Sequence, residues 1–237
     1  MNKRKPILLK LSGTVFQKQK NDSDDSLPIN HIVEQIKQLN KEYQFAIVIG
    51  GGNFFRGSQQ GKTIGTRPMV NHYVGMIATI MNGLLLQDLL SQTHLNADLL
   101  STFICPEFAK PISPQIITKS FKENDIIIFS GGTGNPFFTT DTNAIVRALE
   151  IHTDEVWKAT DVDGVYDSDP KKNHDAKLIA KTTYKQALEH NLNIMDQTAF
   201  TLAEEHGITT RVFNIFKKNA LLDVAQNKQF GSTISPK

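Results

Sequence analysis

Short, nearly continuous apolar runs alternate along the chain with longer segments whose apolar residues recur every three or four positions. Ile7 to Leu11, Phe45 to Ile49, Ile126 to Phe129, Val156 to Thr160 and Arg211 to Phe216 predict strands, while Ile29 to Leu39 and a long stretch near Tyr73 to Leu90 predict helices. The alternation predicts βαβ units, hence an α/β fold with a mainly parallel sheet and helices on both faces. Ligands of such sheets gather at the carboxyl ends of the strands, where the Gly-rich segments of this chain also fall.

The long helix is apolar over more than one face, through Met76, Ile77, Ile80, Met81, Leu84, Leu85, Leu86, Leu89 and Leu90. Thr79, Asn82, Gln87 and Asp88 interrupt it and argue against a membrane span. Burial against the core on one side and against another subunit on the other is the expectation. The polar stretch Asn21 to Ser26 reads as a solvated loop.

A chain of 237 residues with 39% hydrophobic content is sized for a single domain, 1–237. Its 26 basic and 24 acidic residues leave a net charge of +2, which supplies no global field for nucleic acid or an acidic membrane. A lone Cys105 excludes an internal disulfide and a cysteine metal cluster, and suits a reducing cytoplasm. Lys3-Arg4-Lys5 precedes an apolar run too short for a secretory signal core.

Candidate chemistry sits in four loops. Ser130 to Asp141, reading Ser-Gly-Gly-Thr-Gly-Asn-Pro-Phe-Phe-Thr-Thr-Asp, joins a buried strand to a helix with Thr140 or Asp141 expected at the cap. Exposed backbone N–H groups and the helix dipole point to an anion site with phosphate as guest, with a Gly-rich turn and an ordinary cap as the competing account. Lys10-Leu11-Ser12-Gly13 ends the first strand with a cation, a hydroxyl and a glycine. Gly50-Gly51-Gly52-Asn53-Phe54-Phe55-Arg56-Gly57 closes the second with three glycines and an arginine suited to phosphate oxygens. Ordinary glycine turns are the competing account of both. Asp161 to Pro170 offers four carboxylates and Tyr166 for a nucleoside, with a solvated turn as the alternative; its glycine is misplaced for an EF-hand. Gly57 to Thr63 has three residues where a P-loop needs four, and the histidines show no H-E-x-x-H spacing.

Taken in order, Lys-Leu-Ser-Gly, Gly-Gly-Gly-Asn-Phe-Phe-Arg-Gly, Gly-Thr-Gly-Asn-Pro-Phe-Phe-Thr-Thr-Asp and Lys-Ala-Thr-Asp-Val-Asp-Gly-Val-Tyr resemble the bacterial-type UMP kinase (uridylate kinase) family, over Ile7 to Ile234. The resemblance implies a three-layer αβα sandwich of the amino acid kinase group, without a P-loop, and phosphoryl transfer from ATP to UMP. It implies that Lys10, Leu11, Ser12, Gly13, Gly52 and Arg56 meet the ATP phosphates and that Thr160, Tyr166 and Asp169 hold its nucleoside. Gly51, His72 and the run Thr133, Gly134, Asn135, Pro136, Phe137, Phe138, Thr139, Thr140 would hold UMP. Lys10, Arg56 and Asp196 would be catalytic, with Asp196 organising the lysine. Mg²⁺ would ride on the nucleotide phosphates, without a metal site in the protein, and the assembly would be a homohexamer of dimers.

This chain departs from the family pattern in three places. Thr14 stands where an acidic residue is usual, and His72 stands where an aspartate usually meets the ribose, behind a loop one residue longer, Thr66 to Asn71. Gln87 and Ser91 occupy the positions that in many relatives carry the Arg and His linked to GTP activation, so weak or absent GTP activation is expected. A carboxylate or carbamate kinase of the same fold, or a non-catalytic nucleotide-binding regulator, are the alternative readings.

Overall fold

The computed structural model describes residues 4–18, 26–170, 172–192, 194–226 and 229–236, so most of the expected acidic loop, 21–25, lies outside the described residues. In chain order the elements are β1 (Lys5–Leu11), α1 (Pro28–Leu39), β2 (Tyr43–Ile49), α2 (Lys62–Ile64), α3 (Pro68–Gln92), β3 (Ala97–Ser101), β4 (Lys110–Pro111), α4 (Pro114–Glu123) and β5 (Ile126–Ser130). There follow α5 (Thr140–Glu150), β6 (Glu155–Thr160), β7 (Val165–Tyr166), β8 (Leu178–Ile179), β9 (Lys181–Thr183), α6 (Tyr184–Glu189), α7 (Gln197–Glu205), β10 (Thr209–Asn214), α8 (Ala220–Ala225) and β11 (Ser232–Ser235).

Nine strands form one sheet in the order β4, β3, β5, β2, β1, β6, β10, β11, β9. All its pairings are parallel except β10 with β11. The chain leaves β1 toward β2 and later returns to its other side at β6, so the order reverses around the first strand. That reversal opens a crevice at the carboxyl ends of β1, β2, β5 and β6.

Strand periodicity splits the core in two. Ile7, Leu9, Leu11, Phe45, Ile47 and Trp157 face α1, α8 and the inner side of α3, whereas Leu8, Ala46, Val48, Ile127 and Phe129 face α4, α5 and α7. The expected sandwich with helices on both faces is therefore present. Lys10 follows Leu8 onto the α5 face, and the register sets it opposite Lys158 of β6.

Several boundaries differ from the sequence pattern, and one strand lacks a signal in it. The long helix begins at Pro68, because proline fits the first turn, where its missing N–H loses no bond. β10 starts at Thr209 and ends at Asn214, although Ile215 beyond it is still buried. β3 carries no strand signal because Asp98 interrupts its apolar run. That carboxylate is buried and satisfied by Lys110 at 2.7 and 2.8 Å, Ser120 Oγ at 2.6 Å and Asn124 at 2.9 Å.

Candidate active site

The loop from β5 to α5 bends through left-handed backbone at Gly131, Gly132, Gly134 and Phe137. At Gly131 the restriction is also steric, since a Cβ would stand 2.3 Å from Thr102 Oγ1. The N-cap of α5 is Thr139, one residue before the expected pair. Its Oγ1 accepts from the N–H groups of Asp141 at 3.0 Å and Thr142 at 3.3 Å. The triglycine turn after β2 crowds against protein as well as against the crevice: a Cβ on Gly51 would lie 2.6 Å from Gly75 O and 2.8 Å from Ala78 Cβ of α3.

Between these loops and α3 lies a cleft of about 710 Å³. Gly51, His72, Thr133, Asn135, Phe138, Thr139 and Thr140, expected to hold UMP, line it together with Gly52 and Arg56, expected at the ATP phosphates. Pro136 and Gly134 shape the loop without lining the cleft, and Phe137 sits at its edge with its ring 4.7 Å from that of His72. Arg56 is exposed and folds back, its Nε donating to Gly52 O at 3.0 Å. Lys62 also lines the cleft. It belongs to the segment dismissed as a P-loop, which forms a π-helical turn, Gly57–Gly61, running into α2.

A second cavity of about 310 Å³ opens on the other side of the α5 N-terminus, lined by Asp141, Lys158, Thr160, Gly164, Met195 and Asp196 among others. Thr160, expected beside the ATP nucleoside, lines this cavity. Tyr166 pairs with Leu178 in the β7–β8 hairpin, and Asp169 caps a turn through its backbone oxygen to Lys172 and Asn173, so neither lines this cavity. Leu11 is fully buried, and Ser12 caps the short helical turn Gly13–Phe16, accepting from Thr14 N at 3.3 Å.

Bordering the second cavity, two lysines converge on one carboxylate. Lys10 Nζ is 2.9 Å from Asp141 Oδ1, and Lys158 Nζ contacts Asp141 Oδ2 while donating to Ile194 O at 2.6 Å. Oδ1 of Asp141 is buried and holds its lysine by charge, without a hydrogen bond of good angle. Burial alone would raise the Asp141 carboxyl; Lys10 and Lys158 beside it hold it below the ordinary range. Burial lowers Lys158, against the pull of Asp141.

Asp141 is the carboxylate that touches Lys10, while Asp196, the expected organiser of that lysine, contacts the helix caps. Asp196 caps α7, accepting from Thr198 N and Ala199 N at 3.1 Å each, and from the hydroxyls of Thr139 and Thr142, the latter at 2.8 Å. It ties the α7 cap to the α5 cap and so reaches the lysine pair through Thr139 and Asp141. Asp141 and Lys158 were not identified as site residues from sequence. A lysine inside the apolar run Val156-Trp157-Lys158-Ala159 was the available signal.

Among the described residues, no group of three or more His, Cys, Asp or Glu side chains is placed to hold a metal ion. Asp141 and Asp196 are both committed to protein partners.

An αβα sandwich with glycine loops and paired lysines at its switch point is the architecture of a phosphotransferase outside the P-loop class, and residues 5–214 match the amino acid kinase family, to which this chain belongs. Within that family it groups with the uridylate kinases. It is 43% identical over 231 residues to the uridylate kinase of Haemophilus influenzae (strain PittGG), covering 97% of each chain. The crystal structure of UMP kinase from Ureaplasma parvum superposes with a TM-score of 0.91 at 37% identity, over 98% of this chain and 99% of that one. UMP kinase from Bacillus anthracis gives 0.90 at 32% identity, over 98% and 96%.

Proposed function

We propose that this chain transfers the γ-phosphoryl group of ATP to UMP, giving UDP and ADP, as a step of pyrimidine nucleotide synthesis in the cytoplasm. The observation that carries this reading is the convergence of Lys10 and Lys158 on Asp141 beside the smaller cavity, with the larger cleft lined by Thr139, the adjoining α5 cap. The larger cleft takes UMP, its phosphate directed at the α5 N-terminus, and the smaller takes the ATP nucleoside beside Thr160.

A phosphate monoester is largely ionised near neutrality, its second pKa being about 6, so the acceptor needs no strong base. Charge repulsion is the larger obstacle. Lys10 and Lys158 place positive charge beside the smaller cavity, Asp141 fixes their ammonium groups in position, and Arg56 and backbone N–H groups hold the flanking phosphates. Mg²⁺ entering on the nucleotide phosphates would neutralise part of their charge. Asp196 acts through Thr139 and Thr142, fixing the cap that faces the acceptor.

Gln87 donates to Ala97 O and Ser91 to Asp88 O, so neither offers a cation to an effector triphosphate, which supports weak or absent GTP activation. The assembly is a homo-oligomer, a hexamer built from dimers, packed through the outer face of α3.

A coupled ADP-release assay with UMP, CMP, glutamate and aspartate tests the substrate, run with and without GTP. UMP should be the preferred acceptor. Lys10→Ala and Arg56→Ala should each lose on the order of a hundredfold in turnover, about 3 kcal/mol of transition-state stabilisation, while remaining folded. Wild-type turnover in either variant would remove that residue from the mechanism, and a several-fold rise with GTP would overturn the regulatory reading.

A further inference from the structure

The buried side of α3 carries two polar residues one turn apart, Thr79 and Asn82, at 6% and 0% exposure. Each reaches a different substrate loop. Thr79 Oγ1 accepts from Gly131 N at 2.7 Å, in the loop that leads to the α5 cap, and donates to Met76 O at 2.6 Å within its own helix. Asn82 Nδ2 donates to Gly50 O at 2.6 Å and to Asn53 Oδ1 at 2.7 Å, and Asn53 Nδ2 returns a bond to Asn82 Oδ1 at 3.0 Å. The loop of Lys10 packs directly on this amide pair: a Cβ on Gly13 would lie 2.2 Å from Asn53 Oδ1, 2.6 Å from Gly50 O and 2.8 Å from Asn82 Nδ2.

We propose that Thr79 and Asn82 are positioning residues, through which α3 sets the separation of the two nucleotides, Thr79 holding the acceptor loop and Asn82 the donor-phosphate loops. A helix is a stiff spacer, and three residues along it correspond to a rise of about 4.5 Å. Asn82 is fully buried and lines neither cavity, while Thr79 borders the acceptor cleft away from the lysine pair. Phosphoryl transfer depends on in-line alignment, so small displacements of either loop act on turnover as well as on binding. The proposal rests on the UMP kinase reading and adds to it a division of labour within one helix.

The two halves separate kinetically. In folded enzyme, Thr79→Val should raise KM for UMP by about tenfold with KM for ATP within about twofold, the loss of one buried hydrogen bond. Asn82→Ala should raise KM for ATP, through Gly13, Gly52 and Arg56, more than KM for UMP, and both should lower kcat. Thr79→Ser restores the acceptor side because it keeps the hydroxyl. Asn82→Asp does not rescue, because a carboxylate cannot donate to Gly50 O or Asn53 Oδ1. Should Asn82→Ala fail to fold, Asn53→Ala removes the same amide pair from the half-exposed loop side.

Equal shifts in both KM values, or unchanged KM values in folded variants, would overturn the division of labour. The wild type is measured in the same assay with UMP: if it transfers nothing, the activity itself falls. If it is active and the variants show the wrong pattern, only the role of α3 falls.

Discussion

At the scale of single residues, Asp141 is the group on which most depends. It compensates two ammonium groups, so replacing it with Asn leaves buried like charges facing each other. Asp141→Asn should destabilise by about 3 kcal/mol at pH 7, the order expected when one partner of a buried charge cluster is removed. Its depressed carboxyl makes the stabilisation fully present above the ordinary carboxylate range and lost only as pH falls through that range and below. Thermal melts from pH 3 to 8 should therefore show a difference between wild type and variant that shrinks on the acid side; a constant difference would mean that the charge is not responsible. Tyr184 gives the opposite sign. Burial pushes its phenol up to about 12, although its hydroxyl is hydrogen-bonded to Thr210 at 2.8 Å. Its contribution is present below pH 10 and is lost as pH rises toward 12, up to about 3 kcal/mol. In urea unfolding from pH 8 to 11, Tyr184→Phe should lose less stability on the alkaline side than wild type.

At the scale of elements, the N-terminus of α5 joins the acceptor cleft to the lysine cluster. Thr139 caps it and bonds Asp196 at the start of α7, so one hydroxyl fastens two helices. Thr139→Ala should cost about 1 kcal/mol in stability and should also raise KM for UMP, while Thr139→Ser keeps both functions; chemical denaturation and initial rates check the pair. This loop was legible in the sequence because glycines, a proline and a capping hydroxyl carry their backbone preferences locally. The lysine pair was not. Lys10 and Lys158 meet only because β1 pairs β6 in the register that sets them side by side, and sequence patterning does not give strand order. Asp196 shows the intermediate case: its residue type marks an N-cap, but which cation or hydroxyl it serves depends on where α7 packs. β3 was hidden for another reason, since a buried Asp98 with four hydrogen bonds reads in sequence as an exposed turn.

At the scale of the whole molecule, α3 turns two faces to two tasks. Its inner face holds Thr79, Asn82, Leu86 and Leu90 against loops and sheet, while Val70, Tyr73, Ile77, Met81 and Leu85 remain exposed at helical spacing on the outside. By length and composition alone this helix could cross a membrane. Its polar inner residues are bonded into the glycine loops, however, which makes it a core helix with an uncovered apolar stripe. A run of that kind on a water-exposed surface calls for a covering partner, and a second copy of the chain, carrying the same stripe, is the partner proposed. Ile77 and Leu85 are 52% and 45% exposed, so covering them recovers roughly 1 kcal/mol or more per side chain, counted twice across a two-fold interface. Ile77→Asp with Leu85→Asp should therefore weaken association by more than about a hundredfold. Sedimentation velocity at micromolar protein should show the wild type as an oligomer and the double variant as a folded monomer. An unchanged sedimentation coefficient would place the subunit contact elsewhere. If the monomer also loses turnover while its melting temperature holds, the outer face of α3 supports the loop geometry that its inner face sets.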